Sequence, residues 1–131
     1  MVVALVGVTL VGLTLVSLIF MLNSFAFDSA RWSAGQQLAR LGVAPDELDA
    51  GYEWVGAHAT SLPDSVQPGL GLTFYENFFP GYRLCGIVSS GHWDDPGYEL
   101  VGTEDYSLNL IAGPTEHLYL YRATGPDCRS Q

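Results

Sequence analysis

The chain has no lysine, only two cysteines, and few charged side chains of any kind, which make up 15% of its 131 residues. Five arginines stand against 14 acidic residues, for a formal net charge of −9. No basic stripe is available for a phosphate backbone or an anionic lipid surface, so nucleic-acid binding is excluded. Self-contained catalytic signatures are missing as well. There is no Gly-x-Ser-x-Gly elbow, and Pro68-Gly69-Leu70-Gly71 lacks both the lysine and the strand-to-helix context of a phosphate loop. No catalytic residue, metal ligand set or cofactor is expected on these grounds.

Charge is absent altogether from Val2 to Leu22, which also has no proline. Its polar side chains are Thr9, Thr14 and Ser17, whose hydroxyls a helix satisfies on its own carbonyls. At 1.5 Å per residue the segment spans roughly 31 Å, the thickness of a bilayer core. The expectation is a single transmembrane anchor over residues 1–22, with Val3, Gly7 and Val11 forming a small-residue stripe for other helices. A cleaved signal peptide is the competing reading, since Ser24-Phe25-Ala26 resembles a cleavage site. The length of the run and the absence of preceding basic residues favour a retained anchor.

About one hundred residues follow, enough for one compact domain. Residues 23–27 read as an interfacial linker, with Phe25 and Phe27 at headgroup level. Asp28 to Leu41 has the spacing of an amphipathic helix, with Ala30, Ala34, Leu38 and Leu41 inward and Arg31 and Arg40 toward water. Asp28 or Ser29 is placed to cap it, and Gly42 and Pro45 to end it. Strands are expected at Asp49–Val55, Tyr82–Ser90, Tyr98–Val101, Ser107–Ile111 and Leu118–Ala123. A long irregular loop is expected over residues 58–72. The fold class is α+β or α/β: one transmembrane helix, then an amphipathic helix packed on about four or five short strands. This domain covers residues 28–124, with a tail at 125–131.

Cys85 and Cys128 are compatible with a disulfide, which places the domain on the extracytoplasmic side of a membrane. His92, Asp94 and Asp95 have metal-ligand chemistry but no second spaced pair, and a solvated turn accounts for them. Ser89-Ser90-Gly91-His92 places hydroxyls beside an imidazole. Sequence neighbours rarely form a working dyad, so it reads as a strand end. Aromatic rings are abundant: Trp32, Tyr52, Trp54, Phe74, Tyr75, Phe78, Phe79, Tyr82 and Trp93. Most belong to a core by area alone. Beside carboxylates such as Glu53 and Glu76, some have the chemistry of a sugar-stacking surface. Tyr52, Glu53 and Trp54 are the candidate ligand-binding residues.

Two blocks carry a family resemblance. Ala30-Arg31-Trp32-x-Ala34-Gly35 and Gly42-Val43-x-Pro45-x-Glu47-x-Asp49-Ala50-Gly51-Tyr52-Glu53-Trp54-x-Gly56 resemble the extracytoplasmic tail of bacterial multi-spanning glycosyltransferases. These are the dolichyl-phosphate-mannose mannosyltransferase-like and lipid-A aminoarabinose transferase-like enzymes. Ile87-Val88-Ser89, Pro96–Val101 and Leu118–Arg122 look like the last strands of that tail, so the likeness covers residues 23–123. It implies sugar transfer from a polyprenyl-phosphate donor, with the anchor as the last span of a helix bundle. The family's catalytic carboxylate lies in an early loop that this chain does not contain, so no catalytic residue carries over. What the resemblance implies is an accessory module in the lipid bilayer, partnered by other transmembrane helices of a glycosyltransferase. The alternatives are a glycan- or envelope-binding single-pass protein and, less in keeping with the residues, a small hydrolase using His92.

Overall fold

A computed structural model describes residues 2–59, 84–107 and 115–128. The fold is α+β: one long apolar helix, one short helix and a mixed four-stranded sheet. The first helix, α1, runs without interruption from Val2 to Arg40. The expected linker at 23–27 and the expected second helix are therefore both part of α1, and Asp28 and Ser29 are helix interior, not caps. The reason is local. No glycine or proline occurs between Gly12 and Gly35, and extending a helix by one residue costs far less than nucleating a new one. The amino-terminal part is long and apolar enough to cross a membrane, with a mean hydropathy of 2.1, and its side chains are not covered by the rest of the fold.

α1 ends as its sequence dictates. Gly42 adopts a φ of 93°, the left-handed conformation that favours glycine. Its N–H donates to Ala39 O at 3.0 Å and the N–H of Val43 donates to Leu38 O at 3.1 Å, a Schellman closure with Val43 folded over Leu38. A single 3-10 turn at Pro45–Glu47 leads into β1, Leu48–Asp49.

The expected strand at Asp49–Val55 is mostly helix: β1 stops at Asp49, and α2 covers Tyr52–His58. Gly51, at φ 99°, breaks the strand. From there the neighbours Trp54 and Val55 are both buried, which breaks a strand's alternation, and His58, four residues on from Trp54, stacks on it with ring centroids 4.1 Å apart. Aromatic composition points to a strand; the backbone turn at Gly51 overrides it.

The remaining strands are β2 (Gly86–Ser89), β3 (Tyr98–Ser107) and β4 (Thr115–Ala123), in the order β1-β2-β4-β3. β1 and β2 are parallel and the other pairs antiparallel. β3 covers the strand expected at Tyr98–Val101 and continues to Ser107, the first residue of the next expected strand. It carries a bulge at Val101, because Leu100 faces Tyr121 while Gly102 faces Leu120. The extra residue lets Val101 turn toward the core. The expected loop beyond Ala59, the residues Phe74, Tyr75, Glu76, Phe78, Phe79 and Tyr82, and residues 108–111 of the strand expected at Ser107–Ile111 lie outside the described residues.

One face of the sheet packs on α1. Ala30, Ala34 and Leu38 meet Leu48, Val88, Leu118 and Leu120 there, and Gln37 Nε2 donates to Glu104 Oε2. On the other face Val55, Leu84, Ile87 and Tyr121 form a smaller cluster with Trp93, Tyr98 and Tyr119 around it. A disulfide joins Cys85 to Cys128, with Cα atoms 5.4 Å apart, and ties the carboxyl-terminal turn to the start of β2.

Candidate functional site

β1 and β2 run back toward the apolar half of α1. Gly35 packs beneath Ala50 and Trp54, whereas Gly51 packs against the guanidinium of Arg31, one helical turn nearer the apolar segment. At the carboxyl ends of these two strands is a groove of about 440 Å³. Phe27, Arg31, Asp49 and the run Ile87–Trp93 line it.

Each wall is set by a local feature. The Asp49 carboxylate is 5% exposed, and its Oδ1 accepts from the N–H of Gly51 at 2.9 Å. That bond shapes the turn and also brings the Gly51 backbone to Arg31. A Cβ at Gly51 would overlap the guanidinium, so glycine is required twice, for its φ and for the close approach. On its other side the guanidinium carbon lies 5.3 Å from the centre of the Phe27 ring, an attractive cation–π arrangement between residues i and i+4 of α1. Phe27 in turn meets Tyr106 edge-on at 5.6 Å. The Tyr106 phenol is held above its ordinary value of 10.0 by burial and then by the nearby Glu116 carboxylate, so it stays neutral and serves as a packing partner.

The opposite wall is a chain reversal after β2. Ser89 Oγ donates to Gly91 O at 2.8 Å and accepts from Gly91 N at 3.2 Å. The hydroxyl is thus committed to the turn. His92 packs edge-on to Tyr119 and Tyr121, and the N–H of Trp93 donates to Tyr121 Oη at 2.8 Å. Asp95 Oδ1 accepts from Gly97 N at 2.7 Å, closing the Asp94–Gly97 turn as its residues predict. Among the described residues, no group of three or more His, Cys, Asp or Glu side chains converges in a way that holds a metal ion.

The candidate ligand residues are separated by α2. Trp54 is 3% exposed, and its indole Nε1 donates to Pro45 O at 3.0 Å. Trp32 meets it edge-on at 5.1 Å. Tyr52 is 62% exposed, and Glu53 is exposed on the same outer side. A strand would have placed Tyr52 and Trp54 on one face; the helix turns them apart, and none of the three lines the groove. Sequence reasoning missed Phe27, Arg31 and Asp49 as a group. Two signals pointed to them: the Phe27/Arg31 spacing of four, and Asp49-Ala50-Gly51 as an Asx turn.

No protein-family model matches the chain, and neither a curated protein nor a solved structure matches it.

Proposed function

We propose that the chain is a membrane-anchored extracytoplasmic module equivalent to the tail of a polyprenyl-phosphate-sugar-dependent glycosyltransferase, accessory and not catalytic alone. The observation that carries this reading is the continuity of α1. One rod of about 58 Å is both the exposed apolar segment and the central helix of the domain core. A module built this way holds its sheet and groove at a fixed height above a bilayer. It also leaves the apolar face of α1 open to neighbouring helices: Gly7 and Gly12 have nothing within 4 Å of a Cβ built on them. The disulfide supports the extracytoplasmic side, since such bonds persist in oxidising compartments. The residues that carry the family resemblance also meet in space, with Gly35 under Trp54 and Arg31 against Gly51.

The test is sugar transfer in reconstituted bilayers supplied with polyprenyl-phosphate sugar. The chain alone is expected to give none, and transfer without a partner enzyme would overturn the proposal. The groove favours a second reading, a single-pass protein that binds an envelope component. Among the described residues its lining combines aromatic rings with the polar side chains Arg31, Asp49 and Ser90, and its volume of about 440 Å³ suits a small polar ligand and not a macromolecule.

A further inference from the structure

The groove presents donors that the fold leaves unused. Arg31 is half-buried, and its guanidinium touches the Phe27 ring and the Gly51 backbone. Among the described residues no carboxylate or carbonyl oxygen lies within hydrogen-bond distance of it. On the opposite wall the Ser90 hydroxyl and the His92 ring nitrogens likewise make no hydrogen bond among the described residues. The other polar groups there are committed. Ser89 Oγ is bonded to its own turn, and the Asp49 carboxylate holds Gly51 N and has a further interaction.

We propose that the groove is a phosphate-ester site, in which Arg31 pairs with the phosphoryl oxygens and Ser90 and His92 donate to them from the opposite wall. A guanidinium that is partly desolvated and without an acceptor gains most from an anion that brings oxygens to it. Donors on two walls suit a tetrahedral phosphoryl group, whose oxygens point in several directions, better than a flat carboxylate. Arg31, held between the Phe27 ring and the Gly51 backbone, loses little freedom on meeting it. The net charge of −9 works against any anion at long range, so the fit rests on contact. Arg31 leans back over Phe27, which is five residues and about 7–8 Å past Leu22. With the apolar segment in a bilayer, that level is the outer part of the headgroup zone, roughly 5–8 Å deep. Lipid-borne and soluble phosphates both reach it. The inference deepens the envelope-binding reading and rests on it.

The experiment uses the intact chain in polyoxyethylene-detergent micelles and follows the Trp93 indole and Gly91 amide signals by NMR. The probes are dihexanoylphosphatidic acid, glycerophosphate and acetate. A phosphate is expected to shift both signals saturably, and acetate to bind about tenfold more weakly. A response to the lipid alone assigns the site to the membrane, one to glycerophosphate alone assigns it to a soluble ester, and a response to both shows that the phosphate itself is read. R31Q is expected to weaken phosphate binding about tenfold, the loss of one charge-assisted pair, while R40Q leaves it unchanged. Should R31Q not fold, S90A, at an exposed position, decides the same point with an expected loss of about threefold. Acetate binding as tightly as the phosphates, or an unaltered affinity in the variant that folds, would overturn the proposal. Tighter binding of dodecyl maltoside would overturn it while leaving the envelope-binding reading intact, whereas no shift with any probe would overturn both.

Discussion

Gly35 has no room for a side chain. A Cβ there would lie 2.7 Å from Trp54 Cε3 and 2.9 Å from Ala50 Cβ. Trp54 cannot give way easily, because it is buried, bonded to Pro45 O and stacked with His58. Gly35→Ala is therefore expected to destabilise the domain by about 1–3 kcal/mol through overpacking, measured by denaturant unfolding in micelles. Gly56 is the contrasting case. It sits in α2 with nothing within 4 Å of a Cβ, so Gly56→Ala is expected to stabilise by roughly 0.5–1 kcal/mol in the same assay. Two glycines in similar sequence surroundings thus act in opposite directions, and only their neighbours tell them apart.

At the scale of elements, α1 is the decisive feature. Its apolar periodicity was legible in two parts, an all-round hydrophobic run and then a one-sided stripe of Ala30, Ala34 and Leu38. A change of pattern resembles a boundary between elements, yet here it marks only a change of environment along one helix. Backbone amides of Ser24 to Asp28 are therefore expected to exchange with solvent deuterium as slowly as those of the flanking turns. Ala26→Pro is expected to release that protection by removing a helical hydrogen bond. Fast exchange across this stretch in the unaltered chain would show a linker instead. α2 teaches the converse lesson: Tyr52-Glu53-Trp54-Val55 is rich in strand-forming residues, but Gly51 turns the chain before a strand can continue.

At the scale of the whole molecule, the described residues form a thin sheet with one long helix on one face and a small aliphatic and aromatic cluster on the other. The disulfide closes this unit at the end distant from the groove. Replacing Cys85 and Cys128 by serine is expected to lower stability by roughly 4 kcal/mol, the chain-entropy value for a loop of this length, seen as a lower denaturation midpoint. The groove depends on every layer, since α1 supplies Phe27 and Arg31, β1 supplies Asp49, and the end of β2 supplies the rest.

What the sequence determined by itself was everything that depends on local pattern. The charge-free run, the stop at Gly42, the turn at Asp94–Gly97, β2, the start of β3 and most of β4 follow from periodicity and backbone preference. Three of the strands and the covering helix of an α+β layer were legible for the same reason, while the two-residue β1 was read as the start of a longer strand. The continuity of α1 and the helical state of residues 52–58 have local causes too, the lack of a helix breaker and the turn at Gly51. The tertiary structure decided the meetings of Arg31 with Gly51 and of Gly35 with Trp54. Both join residues distant along the chain. The burial of Trp54, which removes it from the candidate ligand face, is the clearest case: its packing on Gly35 exists only once the chain has folded back on α1.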